Sequence, residues 1–94
     1  MDDIRNLLLS EIRNNKYMIT AEQCKMIREQ RNHIGLSADN ISIKMNVARC
    51  WLACLERGEF KSIKGDKLLK LFKIIFAKTD VLDEIKNFLM LNLS

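Results

Sequence analysis

"MNVARCWLACLERGEF", residues 45–60, decides how the chain is read. Asparagine is the best non-glycine residue for positive φ, so Asn46 predicts a sharp turn. Val47 is apolar, Ala48 opens a helix over 48–57, and Gly58 ends it. Leu52 and Leu55 share one side of that helix. Arg49, Cys50, Ala53, Cys54 and Arg57 take the other, with Trp51 at its flank.

Upstream, Ser37 caps a short helix with Asp39 favourable in its first turn. Ile41 and Met45 lie four apart on one face, and Ser42 is small enough for a second helix to cross there. Two short helices joined by a tight turn need facing apolar residues. Ile41, Met45, Val47, Leu52 and Leu55 supply five. Before them, Thr20 and Gln23 form a capping box. It starts a helix that runs to about Asn32, with Cys24, Ile27 and Arg31 on one face and Gly35 as its exit.

Downstream, Glu59–Gly65 reads as a loop. Asp66 caps a helix whose Leu68, Leu69, Leu71, Phe72 and Ile75 form a broad apolar face. Thr79 or Asp80 starts a last helix. At the other end, residues 3–15 place Ile4, Leu7, Leu8 and Ile12 at helical spacing. Strand-like alternation is absent. With 94 residues, no proline and 48% hydrophobic content, a single small all-α domain is expected.

The net charge of +4 is unevenly placed. Residues 44–78 hold nine basic and three acidic side chains; the segments on either side are neutral or acidic. A positive patch of this kind suits a polyanion. A solvated lysine face on helix 66–77 is the plainer reading of the same run.

Three cysteines, an odd number with no C-x-x-C pair, read as reduced cytosolic thiols. Asp2 and Asp3 occupy the place where a signal peptide needs positive charge, and no apolar run reaches membrane-spanning length. A cytoplasmic protein without membrane attachment is expected. Cys50 and Cys54 are four apart, but His33 is the only histidine and belongs to another turn, so neither metal nor cofactor is expected. Cys50 beside Arg49 near a helix start could favour thiolate and a redox switch; small residues fitted to a groove are the simpler account. No glycine-rich phosphate loop or Cys/His pairing points to an enzyme.

Residues 27–76 resemble the lambda-repressor-like (Cro/Xre-type) DNA-binding family, whose usual pattern is LRxxRxxxGLSQxxLAxxLGVSxxxISxxExG. Ile27, Arg28, Arg31, Gly35, Leu36, Ser37, Ile41, Val47, Leu52, Glu56 and Gly58 match it. The chain departs at Ala38, where a phosphate-reaching glutamine is usual, at Asp39 beside it, and at Ala48. The resemblance implies a five-helix helix-turn-helix domain over 20–78. The N-terminal helix, 1–19, is an addition, and the C-terminal helix, 79–94, is a dimerisation element. It also implies a bacterial or phage-encoded transcriptional repressor that binds an inverted-repeat operator in double-stranded DNA as a homodimer.

Carried onto this chain, base edges fall to Arg49, Cys50, Ala53 and Cys54 in the major groove. Arg49 suits a bidentate contact to guanine, and the small residues suit thymine methyl groups. Phosphate contacts fall to Ser37, Lys44, Arg57, Lys61, Lys64 and Lys67. Trp51 either wedges at the rim of the core or touches the backbone or a partner protein. Val81, Leu82, Ile85, Phe88 and Leu89 point inward on the last helix. With Met90, Leu91 and Leu93 they cover more than one face, which marks them as the dimer interface. The rival reading is a protein-interaction module that has lost operator reading: an antitoxin, an anti-repressor or a phage inhibitor.

Overall fold

The computed structural model describes residues 2–91 of the chain. They are mostly helical: α1 Asp2–Asn14, α2 Ala21–Ile34, α3 Ala38–Lys44, α4 Trp51–Glu56, α5 Gly65–Ile75 and α6 Leu82–Met90. Two short strands, β1 Lys16–Met18 and β2 Ser62–Lys64, pair antiparallel. β2 corrects the expectation of a loop over Glu59–Gly65, and β1 lies within the 1–19 segment whose helix ends at Asn14. Three residues are too few for alternation to stand out. Both nonetheless alternate, with Tyr17 and Ile63 turned inward and their neighbours exposed.

The local signals act as their chemistry requires. Thr20 accepts from the Gln23 amide while the Gln23 side chain accepts from the Thr20 amide. Gly35 ends α2 in the left-handed region at φ 76°. Ser37 caps α3 by accepting from the Asn40 amide. Asn46 turns the chain at φ 59°.

Other boundaries move. The expected helix over 48–57 begins at Trp51 instead. The Trp51 amide donates to the Ala48 carbonyl, so Ala48–Trp51 is a tighter i to i+3 turn that leads into α4. α5 begins at Gly65, one residue before Asp66, and Lys64 caps it without a side-chain bond. α6 begins at Leu82, whose amide donates to Asp80 Oδ1.

Phe72 sits in a core shared by α2, α3, α4, α5 and α6. It meets Phe88 edge-on at 5.1 Å between ring centres. Ile27, Ile41, Leu52, Leu55, Leu68, Leu71 and Ile75 are fully buried around it. Burial of such side chains contributes roughly 1.5–3 kcal/mol each.

α2 serves as a strut that terminates its neighbours. The last carbonyls of a helix have no partner within it. Here Gln23 Nε2 donates to Phe88 O on α6, Gln30 Nε2 to Ile75 O on α5, and Arg28 Nη2 to Glu56 O on α4. Gln23 is fully buried, and nothing in its role as a capping residue foretells the bond to α6.

α1 packs against α5. Ile12 is buried, and Leu8 and Leu9 pack on the core, whereas Ile4 and Leu7 are exposed. The run Leu7-Leu8-Leu9 leaves the phase of the helix open. Its rotation is set by distant contacts: the Arg5–Asp80 ion pair, and Gly65, where a Cβ would lie 1.5 Å from the Ile12 carbonyl oxygen. Only glycine allows that approach.

Val81, Leu82, Ile85 and Phe88 are at most 1% exposed and face the core of their own chain. They are therefore not a dimer surface, which corrects that expectation. Their apolar character is consumed by α5 and α2. Leu89 is half-buried against the same core, Met90 and Leu91 are exposed, and Leu93 lies outside the described residues. No helix among the described residues is long and apolar enough to cross a membrane.

Candidate nucleic-acid interface

Within the unit formed by α3, the turn and α4, one hydroxyl bridges the two helices. Ser42, fully buried, donates from Oγ to the Ala38 carbonyl and accepts from the Leu52 amide, both at 3.0 Å. Cys50 caps α4 without a side-chain bond, so Ser42 supplies from another helix an acceptor that the cap does not. The sequence marks Ser42 as small. Its hydrogen bonding has no local signature.

A second clamp ties α4 to α2. Glu56 is 7% exposed and accepts from Arg31 Nε at 2.7 Å and Nη2 at 2.8 Å. Arg31 Nη1 also reaches Leu36 O. The fork-to-carboxylate geometry is bidentate, and Glu56 holds the Arg31 guanidinium above its usual pKa. Both side chains are largely shielded from solvent and act as framework.

With Leu52, Leu55 and Glu56 buried, α4 turns Cys50, Ala53, Cys54 and Arg57 outward. Cys50 and Arg57 are exposed; Ala53 and Cys54 are half-buried. Arg49 lies in the turn before α4 and is fully presented, yet its Nε donates to Asp39 Oδ2 at 3.3 Å. Both side chains are open to water, 78% and 47% exposed, so this pair holds weakly. Arg57 is likewise paired with Glu59 and donates to Cys54 Sγ.

Desolvation raises the Cys54 pKa, with further upward pressure from Glu59 and from Cys50; Arg57 opposes it. The thiol is thus the resting form. Cys24 is buried, donates to Leu55 O, and is also raised, chiefly by burial. No cluster of three or more metal-ligating side chains occurs among the described residues.

The phosphate candidates separate into two groups. Ser37 is exposed, with its oxygen already accepting from the Asn40 amide. Lys44 is exposed at the last turn of α3. Lys61 and Lys64 are exposed at β2, and Lys67 is half-buried in α5. Its ammonium lies 5.7 Å from the Trp51 ring centre. Trp51 itself is half-buried and lies 6.3 Å from Phe60, so it is both a rim residue and part of the surface.

Among the described residues, Lys44, Lys61, Lys64 and Lys67 have no acidic partner, whereas Arg49 and Arg57 do. Three of these lysines, Lys61, Lys64 and Lys67, lie at the β2–α5 corner, where Lys67 meets Trp51. Lys16, which carries no signal of its own in the sequence, joins it through the sheet. Comparison of the chain with protein-family models, with curated proteins and with solved structures returns no match.

Proposed function

We propose that the chain is a sequence-specific regulator of transcription that binds double-stranded DNA through a helix-turn-helix of the lambda-repressor-like kind. Residues 38–56 supply the motif and the outward face of α4 enters the major groove. The observation that carries this reading is the α3–turn–α4 unit itself. A left-handed Asn46 and the buried Ser42 bridge lock two short helices together. They leave a small-residue face beside unpaired lysines.

Arg49 reads guanine after exchanging Asp39 for a base edge. Cys50, Ala53 and Cys54 pack on thymine methyls, and Lys44, Lys61, Lys64 and Lys67 neutralise phosphates. Binding falls steeply with salt. A two-fold dimer would place two such helices one DNA turn apart. The regulator acts as a repressor by occupying its operator.

Selection from a random duplex library near physiological salt tests the reading. An inverted repeat with a guanine in each half-site, relaxed by Arg49→Ala, is the expected result. An unenriched pool removes operator reading. The protein-interaction alternative draws on one observation: both arginines of the α4 surface are paired with acids of their own chain.

A further inference from the structure

The β1–β2 register sets Lys16 opposite Lys64. Backbone bonds from Gly65 N to Asn15 O and from Ile19 N to Lys61 O fix the alternation of the ladder. Lys16 and Lys64 therefore form a non-hydrogen-bonded pair, the kind whose side chains come closest. Like charges directly opposite cost stability, and folding alone gives no reason for them.

Lys16, Lys64 and Lys67, together with Trp51, Phe60 and Ser62, wall a cleft of about 320 Å³. No carboxylate lines it. None of the three lysines has an acidic partner among the described residues. Arg13 and Asp66 border Lys16 and Lys64 from the neighbouring depression.

We propose that Lys16, Lys64 and Lys67 bind one phosphate of a nucleic-acid backbone beside Trp51, which makes the N-terminal strand part of the DNA interface. The proposal rests on the DNA-binding reading and deepens it. An ammonium group is a point charge that serves phosphate well. The aromatic wall gives the adjoining sugar an apolar surface. The anion relieves the repulsion between Lys16 and Lys64, so the cost to the free protein returns as affinity.

Trp51 is the only tryptophan of the chain, so its fluorescence reports on this cleft. The experiment compares the full chain with Lys16→Gln, an exposed substitution. Random-sequence duplex and inorganic pyrophosphate are titrated over a range of salt. Lys64 and Lys67 still face the phosphate, so the log–log salt slope for duplex falls by up to about one, and binding near 0.1 M salt weakens by a few-fold, at most roughly ten-fold. The same substitution raises Tm of the free protein by roughly 1–4 °C. These opposite signs would not come from a merely structural lysine.

An unchanged slope and affinity in Lys16→Gln, with the unsubstituted chain binding duplex, overturns the proposal. If the unsubstituted chain binds no duplex, the DNA reading falls, and pyrophosphate decides the cleft separately. A saturating Trp51 response weakened by Lys16→Gln sustains the phosphate site; a flat response overturns it.

Discussion

Glu56→Ala tests whether the clamp between α2 and α4 carries the energy its burial implies. The substitution removes the acceptor of two short bonds from Arg31 and leaves a guanidinium whose side chain is 16% exposed. An exposed ion pair contributes at most about 1 kcal/mol, whereas stranding one member of a buried pair costs roughly 3–5 kcal/mol. Arg31 retains its bond to Leu36 O and some access to water, which favours the lower end, about 3 kcal/mol. Domains of this size have about 5–14 kcal/mol in all. The urea midpoint should fall by roughly 1–3 M and Tm by about 12–24 °C.

Denaturation followed by circular dichroism and by Trp51 emission provides the assay. Glu56→Gln, which keeps the stem, separates the effect of the charge from that of packing. Replacing both partners, Arg31→Met with Glu56→Leu, should recover most of that loss: the other cation near Glu56, Arg28, is half-exposed and stays hydrated, and only the Leu36 carbonyl loses its donor. A loss below about 1 kcal/mol in Glu56→Ala would refute the reasoning, because the pair would then behave as a solvated one.

Ser42→Ala should cost about 1–3 kcal/mol in denaturant titration by orphaning the buried Leu52 amide, more than an exposed serine would. Gly65→Ala should be worse, since its Cβ would overlap the Ile12 carbonyl; detachment of the N-terminal segment would appear as faster amide exchange over residues 16–19. Asp39→Asn should tighten duplex binding several-fold in a fluorescence titration, because it frees Arg49 and removes an acid beside the proposed DNA interface. Asp80 is held below the usual carboxylate range, first by the Leu82 amide and then by Arg5, and Glu84 likewise by Lys78. Folded-state carboxylates with depressed pKa stabilise above their unfolded pKa and lose that contribution as pH falls through the folded one. Thermal stability should therefore decline below about pH 4, and Asp80→Asn should flatten part of that decline.

What the sequence makes legible follows the range of each interaction. The Thr20–Gln23 box, Gly35, Ser37 and the left-handed Asn46 obey rules that span four residues or fewer, and each stands where those rules put it. The inward set of α4 follows from helical periodicity, and with it the outward set of the candidate site. Interactions between distant residues escape such rules. Leu7-Leu8-Leu9 cannot fix the rotation of α1 without Gly65 and Asp80. Val81, Leu82, Ile85 and Phe88 suit an inward face and a dimer surface equally well, and only the packed α5 and α2 distinguish the two. The acid partner of Arg49, ten residues away, and the meeting of Lys16 with Lys64 depend on a turn and on a strand register that no spacing rule supplies.

The pairing of β1 with β2 also sets an order of assembly. During synthesis the first nineteen residues emerge well before Ser62, Ile63 and Gly65, the residues on which they must dock. Until then Ile12, Leu8 and Leu9 have no surface to cover them, and closure spans a loop of more than forty residues. Formation of the sheet is thus a late event that waits for the start of α5. Residues 16–18 are made well before their partners and reach their place only once β2 has formed.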